Sequence, residues 1–255
     1  MTPPARRRRP EAMADRLPTS DVAGEQGASL EALARLATAL SRPFSTFPES
    51  RFNPSPLSRK QVEALSGHPS FREPLERFFC AQLTGKRFTI SRKQATRMPR
   101  SRAGRLAILM MTEPLGEVER AALLVAGAAL HRRVLDSASK SQREHLRGAL
   151  GSEAFHVATL EAPMLYPALA GYASERLCQS VLSEPQDAAR IRLVGLGARL
   201  LAAAASYGSR TLAKLALKRL SAGTGPSVKS FSRHDLQTVI RLLQRRMSPW
   251  AAFIG

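Results

Sequence analysis

Apolar residues recur along most of this chain at the three-and-four spacing of a helix, and hardly anywhere with the alternation of a strand. Leu30, Leu33, Leu36 and Leu40 share one face of a short predicted helix near 29–41. Pro43, Pro48, Pro54 and Pro56 then interrupt the pattern, while Phe44, Phe47 and Phe52 predict an extended segment lying on a core. Helices are predicted over 58–66, with Gly67 as the stop, and over 70–83, with Ser70 as N-cap and Gly85 as terminator. From Leu106 onward the pattern is helical throughout. The predicted elements are 102–112, 116–135, 139–150, 152–160, 163–182, 185–206, 208–221 and 232–247, punctuated by Gly151, Pro163, Pro185, Gly208, Gly223, Gly225 and Pro226. Pro249 should break the last helix and leave Trp250, Phe253 and Ile254 as a short aromatic tail.

The expected fold class is therefore all-α, with at most a minor short strand at Arg87–Ile90. Three regions are expected: a disordered basic tail (1–28), a helical and loop region (29–105) ending in a basic loop (86–105), and a compact multi-helix core domain (106–255). The tail carries Arg6, Arg7, Arg8 and Arg9 without the apolar run of a signal peptide. The longest apolar stretches, Ala121 to Leu130 and Leu193 to Tyr207, are respectively too short and too interrupted to span a bilayer. A soluble, intracellular protein is expected.

Charge sharpens this picture. The 255 residues contain 39 Lys and Arg against 20 Asp and Glu, a formal net charge of +19. Residues 51–105 carry +10, 106–189 carry −3 and 190–246 carry +11. Two basic blocks thus flank a slightly acidic centre. Such a surface attracts polyanions before any specific contact forms. Arg far outnumbers Lys, a bias that a GC-rich coding sequence also produces. Arg97, Arg100 and Arg102, in the acid-free basic loop, are candidate partner-interface residues. The loop reads in three ways: compositional bias, a docking surface, or a nucleic-acid contact with Phe88 nearby for stacking. Trp250 and Phe253 are the other interface candidates, since Trp and Phe dominate interface energetics; the competing reading folds them back on their own domain.

Catalytic chemistry finds no support in the residue pattern. The five histidines fall in no metal-binding spacing, and Cys80 and Cys178 form neither a disulfide framework nor a C-x-x-C pair. Gly195-Leu196-Gly197 resembles the start of a dinucleotide fingerprint, but no strand precedes it and Leu200 stands where the third glycine belongs; close helix packing is the competing reading. No catalytic, cofactor-binding or metal-binding residue is assigned.

The stretch Arg105 to Leu165 has a recognisable order. It runs from "RLAIL" through Leu115-Gly116 and an Ala/Leu helix containing Gly127 to Leu130-His131. "RRVL", a polar turn, "HLRGALG" and "EAFHVATLEAPML" follow. With "LLAAAASYGSRTLAKLALKRL" and the closing "LLQRRMSPWAAFI", this resembles the type III secretion accessory proteins of the SctK (YscK) type, over roughly residues 57–255. The chain departs from them in its first 50 residues and in the loop 86–105. The resemblance implies a non-enzymatic adaptor of the cytoplasmic sorting platform. It implies as partners the cytoplasmic domain of the inner-membrane ring protein and the pod protein that carries the ATPase assembly, with no cofactor, no small-molecule ligand and only indirect membrane contact. The alternative reading is a basic helical nucleic-acid-binding protein; a secretion chaperone or regulator forms a third class.

Overall fold

The computed structural model describes residues 30–40, 46–48, 57–84, 99–137, 139–220 and 230–255. Arg87–Ile90 and Arg97 lie outside them, as do the tail and most of the basic loop. Every regular element among the described residues is helical. These are α1 (30–40), α2 (Arg59–Gly67), α3 (Pro69–Thr84), α4 (Arg102–Thr112), α5 (Leu115–Asp136) and α6 (Lys140–Leu150). A composite α7 follows, built of Ser152–His156, the π turn Val157–Glu161 and Ala162–Leu165. After a 3-10 turn at Pro167–Tyr172 come α8 (Glu175–Ser183), α9 (Gln186–Ser206), α10 (Arg210–Arg219), α11 (Arg233–Arg246) and α12 (Ser248–Ile254). None of these helices is long and apolar enough to cross a membrane.

Serine supplies half of the described helix starts. The hydroxyls of Ser58, Ser101, Ser139, Ser174, Ser209 and Ser232 each accept a backbone N–H from the first turn they precede, satisfying a donor that the helix itself leaves unpaired. The two long helices α5 and α9 instead begin just after Pro114 and Pro185, without a side-chain cap. Burial stabilises these two. Every residue from Ala121 to His131 is buried, and so is most of α9 from Leu193 to Ala205. A helix apolar on all sides belongs at the centre of a bundle. The α5–α9 contact is the most extensive among the described residues, and the other core helices wrap this pair. Small residues set how closely the pair approaches. A Cβ on Gly197 would overlap the backbone carbonyl of Ala122. Of the two glycines in Gly195-Leu196-Gly197, Gly197 is thus the one that helix packing requires.

Three boundaries differ from the sequence expectation, and proline is central to each. Pro163 does not end a helix. The chain widens into the π turn just before it, the Ala162 N–H reaching back to the Val157 carbonyl, and Pro163 then occupies a first-turn position where no N–H is needed. The break falls later, at Tyr166 and the 3-10 turn. Pro249 likewise opens a helix, α12, and the expected tail is regular structure. Pro69 starts α3 one residue early, so Ser70 lies inside the helix and Pro74 beyond its first turn. The expected division at 105/106 falls within α4, whose Ala103 and Gly104 are already buried; α4 joins the core as a unit. The small-residue turn between α6 and α7 requires Gly151, whose φ of 81° favours glycine.

Candidate functional site

The described arginines of the two basic blocks divide into those held by the fold and those left facing solvent. Arg105 turns inward, donating to the Phe253 carbonyl at 3.2 Å, a cation at the C-terminal end of α12 where the helix dipole favours one. Arg219 donates to the Met110 carbonyl at 3.0 Å, and burial lowers its pKa, with Glu113 opposing that shift. Arg246 forms an ion pair with the buried carboxylate of Glu161, and Arg245 stands 3.7 Å from the same group. The π turn thus carries the acid that anchors α11 to α7. Arg120 grips Glu153 through two hydrogen bonds of 2.8 and 3.0 Å, holding the Glu153 carboxyl below its usual range.

Arg102, Arg233 and Arg241 have no such role. All three are exposed, none makes an ion pair or hydrogen bond among the described residues, and all three line one cleft of about 470 Å³. Ser101, Ala103, Tyr207, Leu236, Gln237 and Ile240 complete the lining, which contains no carboxylate. Arg102 comes from the first basic block, Arg233 and Arg241 from the second. Folding therefore joins two charge clusters that are more than a hundred residues apart in sequence.

Local packing makes the cleft. At the corner between α9 and α10, Gly208 lies so close to the start of α4 that a Cβ on it would overlap the Gly104 backbone. That approach sets the neighbouring Tyr207 beside Ser101 and Arg102. The Tyr207 hydroxyl donates to the Phe231 carbonyl at 2.6 Å, tying the corner to the residue that leads into α11. Phe231 lies between Tyr172 and Tyr207, with ring centroids 5.6 and 6.4 Å away. A capping box then fixes the first turn of α11. Asp235 accepts from the Ser232 backbone and hydroxyl at 2.8 and 2.6 Å, and from the Tyr172 hydroxyl at 2.7 Å. Burial alone would raise the Asp235 pKa, but the Ser232 and Tyr172 hydrogen bonds outweigh it and hold the carboxyl below its ordinary range. Burial and the adjacent Asp235 push the Tyr172 hydroxyl far above its own. The two groups form a fixed hydrogen-bonded support behind the cleft.

On this support α11 presents one face. Positions 233, 236, 237, 240 and 241 fall at helical spacing, so Arg233, Gln237 and Arg241 form an outer stripe and Leu236 with Ile240 a deeper apolar one. Eight residues of rise separate Arg233 from Arg241 by roughly 12 Å. Arg102 and Arg233 both occupy the first position of their helices, and α4 has no acid in its first turn. A cation there opposes the helix dipole, an arrangement worse by about 0.3–1 kcal/mol than an acid in the same place. In α11 Asp235 already offsets this, so an incoming carboxylate would chiefly relieve the repulsion at Arg102.

The other expected site residues are dispersed. Arg100 is exposed just ahead of α4 but does not line the cleft. Trp250 is 1% exposed and belongs to the core, because α12 folds back onto α11 and α4; in this fold it is not a surface anchor. Phe253 is half-buried against the same core. His131 is buried with Nδ1 2.9 Å from the Ala128 carbonyl, and His145 Nε2 lies 2.8 Å from the Val181 carbonyl, so both are satisfied structural histidines. No group of three His, Cys, Asp or Glu side chains among the described residues could hold a metal ion. The sequence marks Arg102 individually but Arg233 and Arg241 only as members of the second basic block, of which residues 210–246 are the alternative docking surface for an acidic partner; their i, i+8 spacing on a predicted helix was a usable signal. No family model matches this chain, and neither does any curated protein or solved structure.

Proposed function

We propose that this protein is a non-enzymatic helical adaptor that docks an acidic partner in the cleft between α4 and α11. The observation that carries this reading is the contrast among its arginines. Arg105, Arg219 and Arg246 are engaged within the fold, whereas Arg102, Arg233 and Arg241 share a carboxylate-free cleft with no partner of their own among the described residues. Three like charges in one recess repel each other, and an oppositely charged surface turns that repulsion into attraction and register.

The resemblance of Arg105 to Leu165 to the SctK type of secretion accessory protein gives the adaptor its proposed setting. That setting is the cytoplasmic sorting platform of a type III secretion system, for protein export and virulence, held peripherally at the inner membrane through the apparatus. The proposed partners are the cytoplasmic domain of the inner-membrane ring protein and the pod protein. A rigid all-α core suits a linker between two assemblies, since neither side has to order it on binding.

Co-purification of the full chain with each of the two partners tests this reading. Retention of either one, lost on combining Arg102→Glu, Arg233→Glu and Arg241→Glu with an unchanged helical circular dichroism spectrum, is the expected result. Failure of the wild-type chain to retain either partner would reject the setting. The unpaired arginines equally suit phosphates, which keeps nucleic-acid binding as the second reading. Tight, steeply salt-dependent retention on random duplex DNA would favour that alternative.

A further inference from the structure

We infer that the cleft between α4 and α11 recognises an acidic amphipathic peptide segment of a partner protein, one that carries two carboxylates about two helical turns apart with an apolar side chain between them. This inference rests on the adaptor reading above and specifies the chemistry of its partner.

The spacing follows from α11. Arg233 and Arg241 bracket the cleft along one helix face, roughly 12 Å apart. Two carboxylates meet both guanidinium groups when they lie about two turns apart on a helix, or about four residues apart on an extended segment. Between the two arginines the lining changes character. Leu236 is half-buried and Ile240 is buried, and together they form an apolar step flanked by Gln237 and Tyr207. Arg102 faces them from α4 and supplies a third cation across the recess.

This alternation decides between ligand classes. A duplex presents evenly spaced phosphates and has no use for an apolar step at the centre of its contact. A recess of about 470 Å³ is of the size that holds a few side chains. Segments with acids flanking a Leu or Phe fill both parts of it. The carboxylates take the arginines in two-pronged contacts, and the apolar residue covers Leu236, with the buried Ile240 as the floor beneath it. Contact distance makes the spacing matter. A carboxylate midway between arginines roughly 12 Å apart lies about 6 Å from each along the helix, beyond the roughly 3 Å of a hydrogen bond, whereas two matched carboxylates each meet one.

Fluorescence anisotropy with the full chain tests the inference. The probe is a fluorescein-labelled helical peptide bearing two glutamates two turns apart around a central leucine. The control has the same composition with the two glutamates adjacent at one end. The wild-type chain should bind the spaced peptide several-fold more tightly than the control. The Arg233→Gln/Arg241→Gln variant, both positions being exposed, should keep its helical spectrum and lose about tenfold in affinity. Equal binding of the two peptides, unchanged affinity in the variant, or displacement of the peptide by random duplex DNA at lower concentration than by its unlabelled form would each overturn it. Co-purification separates this result from the adaptor reading. If the wild type retains the ring or pod protein and the Arg102→Glu/Arg233→Glu/Arg241→Glu variant does not, yet the spaced and control peptides bind equally, the spaced-carboxylate inference fails and the adaptor docking in the cleft stands. If the wild type retains neither, the setting fails, whatever the peptide does.

Discussion

Gly195 and Gly197 lie two residues apart in α9, and alanine at each should move stability in opposite directions. In a helix interior alanine is better than glycine by about 1 kcal/mol, and both positions share that gain. At Gly195 an added methyl meets only the end of Arg199, at an ordinary 3.5 Å, so the gain stands alone. At Gly197 the methyl runs into the Ala122 carbonyl of α5. The methyl is fixed rigidly to its own backbone and the carbonyl is backbone of α5, so no rotamer change relieves the overlap and the two central helices must move apart. Overpacking of a core costs typically 1–3 kcal/mol, and a backbone collision belongs at the top of that range, leaving a net loss of about 2 kcal/mol. The two variants should then differ by about 3 kcal/mol, which for a chain of this size is roughly 6–12 °C in midpoint. Thermal melts followed by far-UV circular dichroism, backed by urea titration, measure the difference. A Gly197→Ala protein as stable as Gly195→Ala would refute the close α5–α9 approach and the core built on it.

Two further outcomes follow from the ionic groups. Glu161→Gln leaves the largely buried Arg246 without its counter-ion and should cost about 2–3 kcal/mol, less than for a fully buried pair because Arg245 and Arg246 keep some solvent; Arg245→Gln, at the exposed edge, should cost under about 1 kcal/mol by the same urea titration. Asp235 has a folded pKa below its unfolded one, so its contribution to stability is complete above the ordinary Asp range and is lost as pH falls through the depressed folded value. Melting temperature should therefore decline as pH drops below about 4, and Asp235→Asn should flatten the part of that decline that comes from the start of α11.

The helices were legible because their signals are local. The three-and-four spacing of the apolar residues marks the helices, and the all-apolar stretch from Ala121 to Leu130 marks a central one, whereas the serine caps at Ser101, Ser139, Ser209 and Ser232 lie outside the sequence expectation. Proline was harder to read, since its effect depends on register. Pro163 and Pro249 each occupy a first-turn position, where the missing N–H costs nothing, and no propensity marks that in advance. Trp250 shows the same dependence: once α12 forms, its ring points into the core. The cleft could not be read from linear order. It needs Gly208 against Gly104, Tyr207 tied to Phe231, and Asp235 held by Tyr172, three contacts between distant segments. The sequence showed two basic blocks and offered no sign that they meet. What it did hold was the Arg233-Gln237-Arg241 stripe, whose significance emerges only beside Arg102.

That meeting of the two blocks is the central claim, and a double-mutant cycle tests it directly. Affinity for the acidic spaced-glutamate peptide would be measured for the wild type, Arg102→Gln, Arg241→Gln and the double variant. If Arg102 and Arg241 act on one ligand in one cleft, each single change weakens binding of that peptide and the double change weakens it further than either alone. An Arg102→Gln or Arg241→Gln protein that binds as the wild type does would contradict the claim that folding makes one site of the two basic blocks.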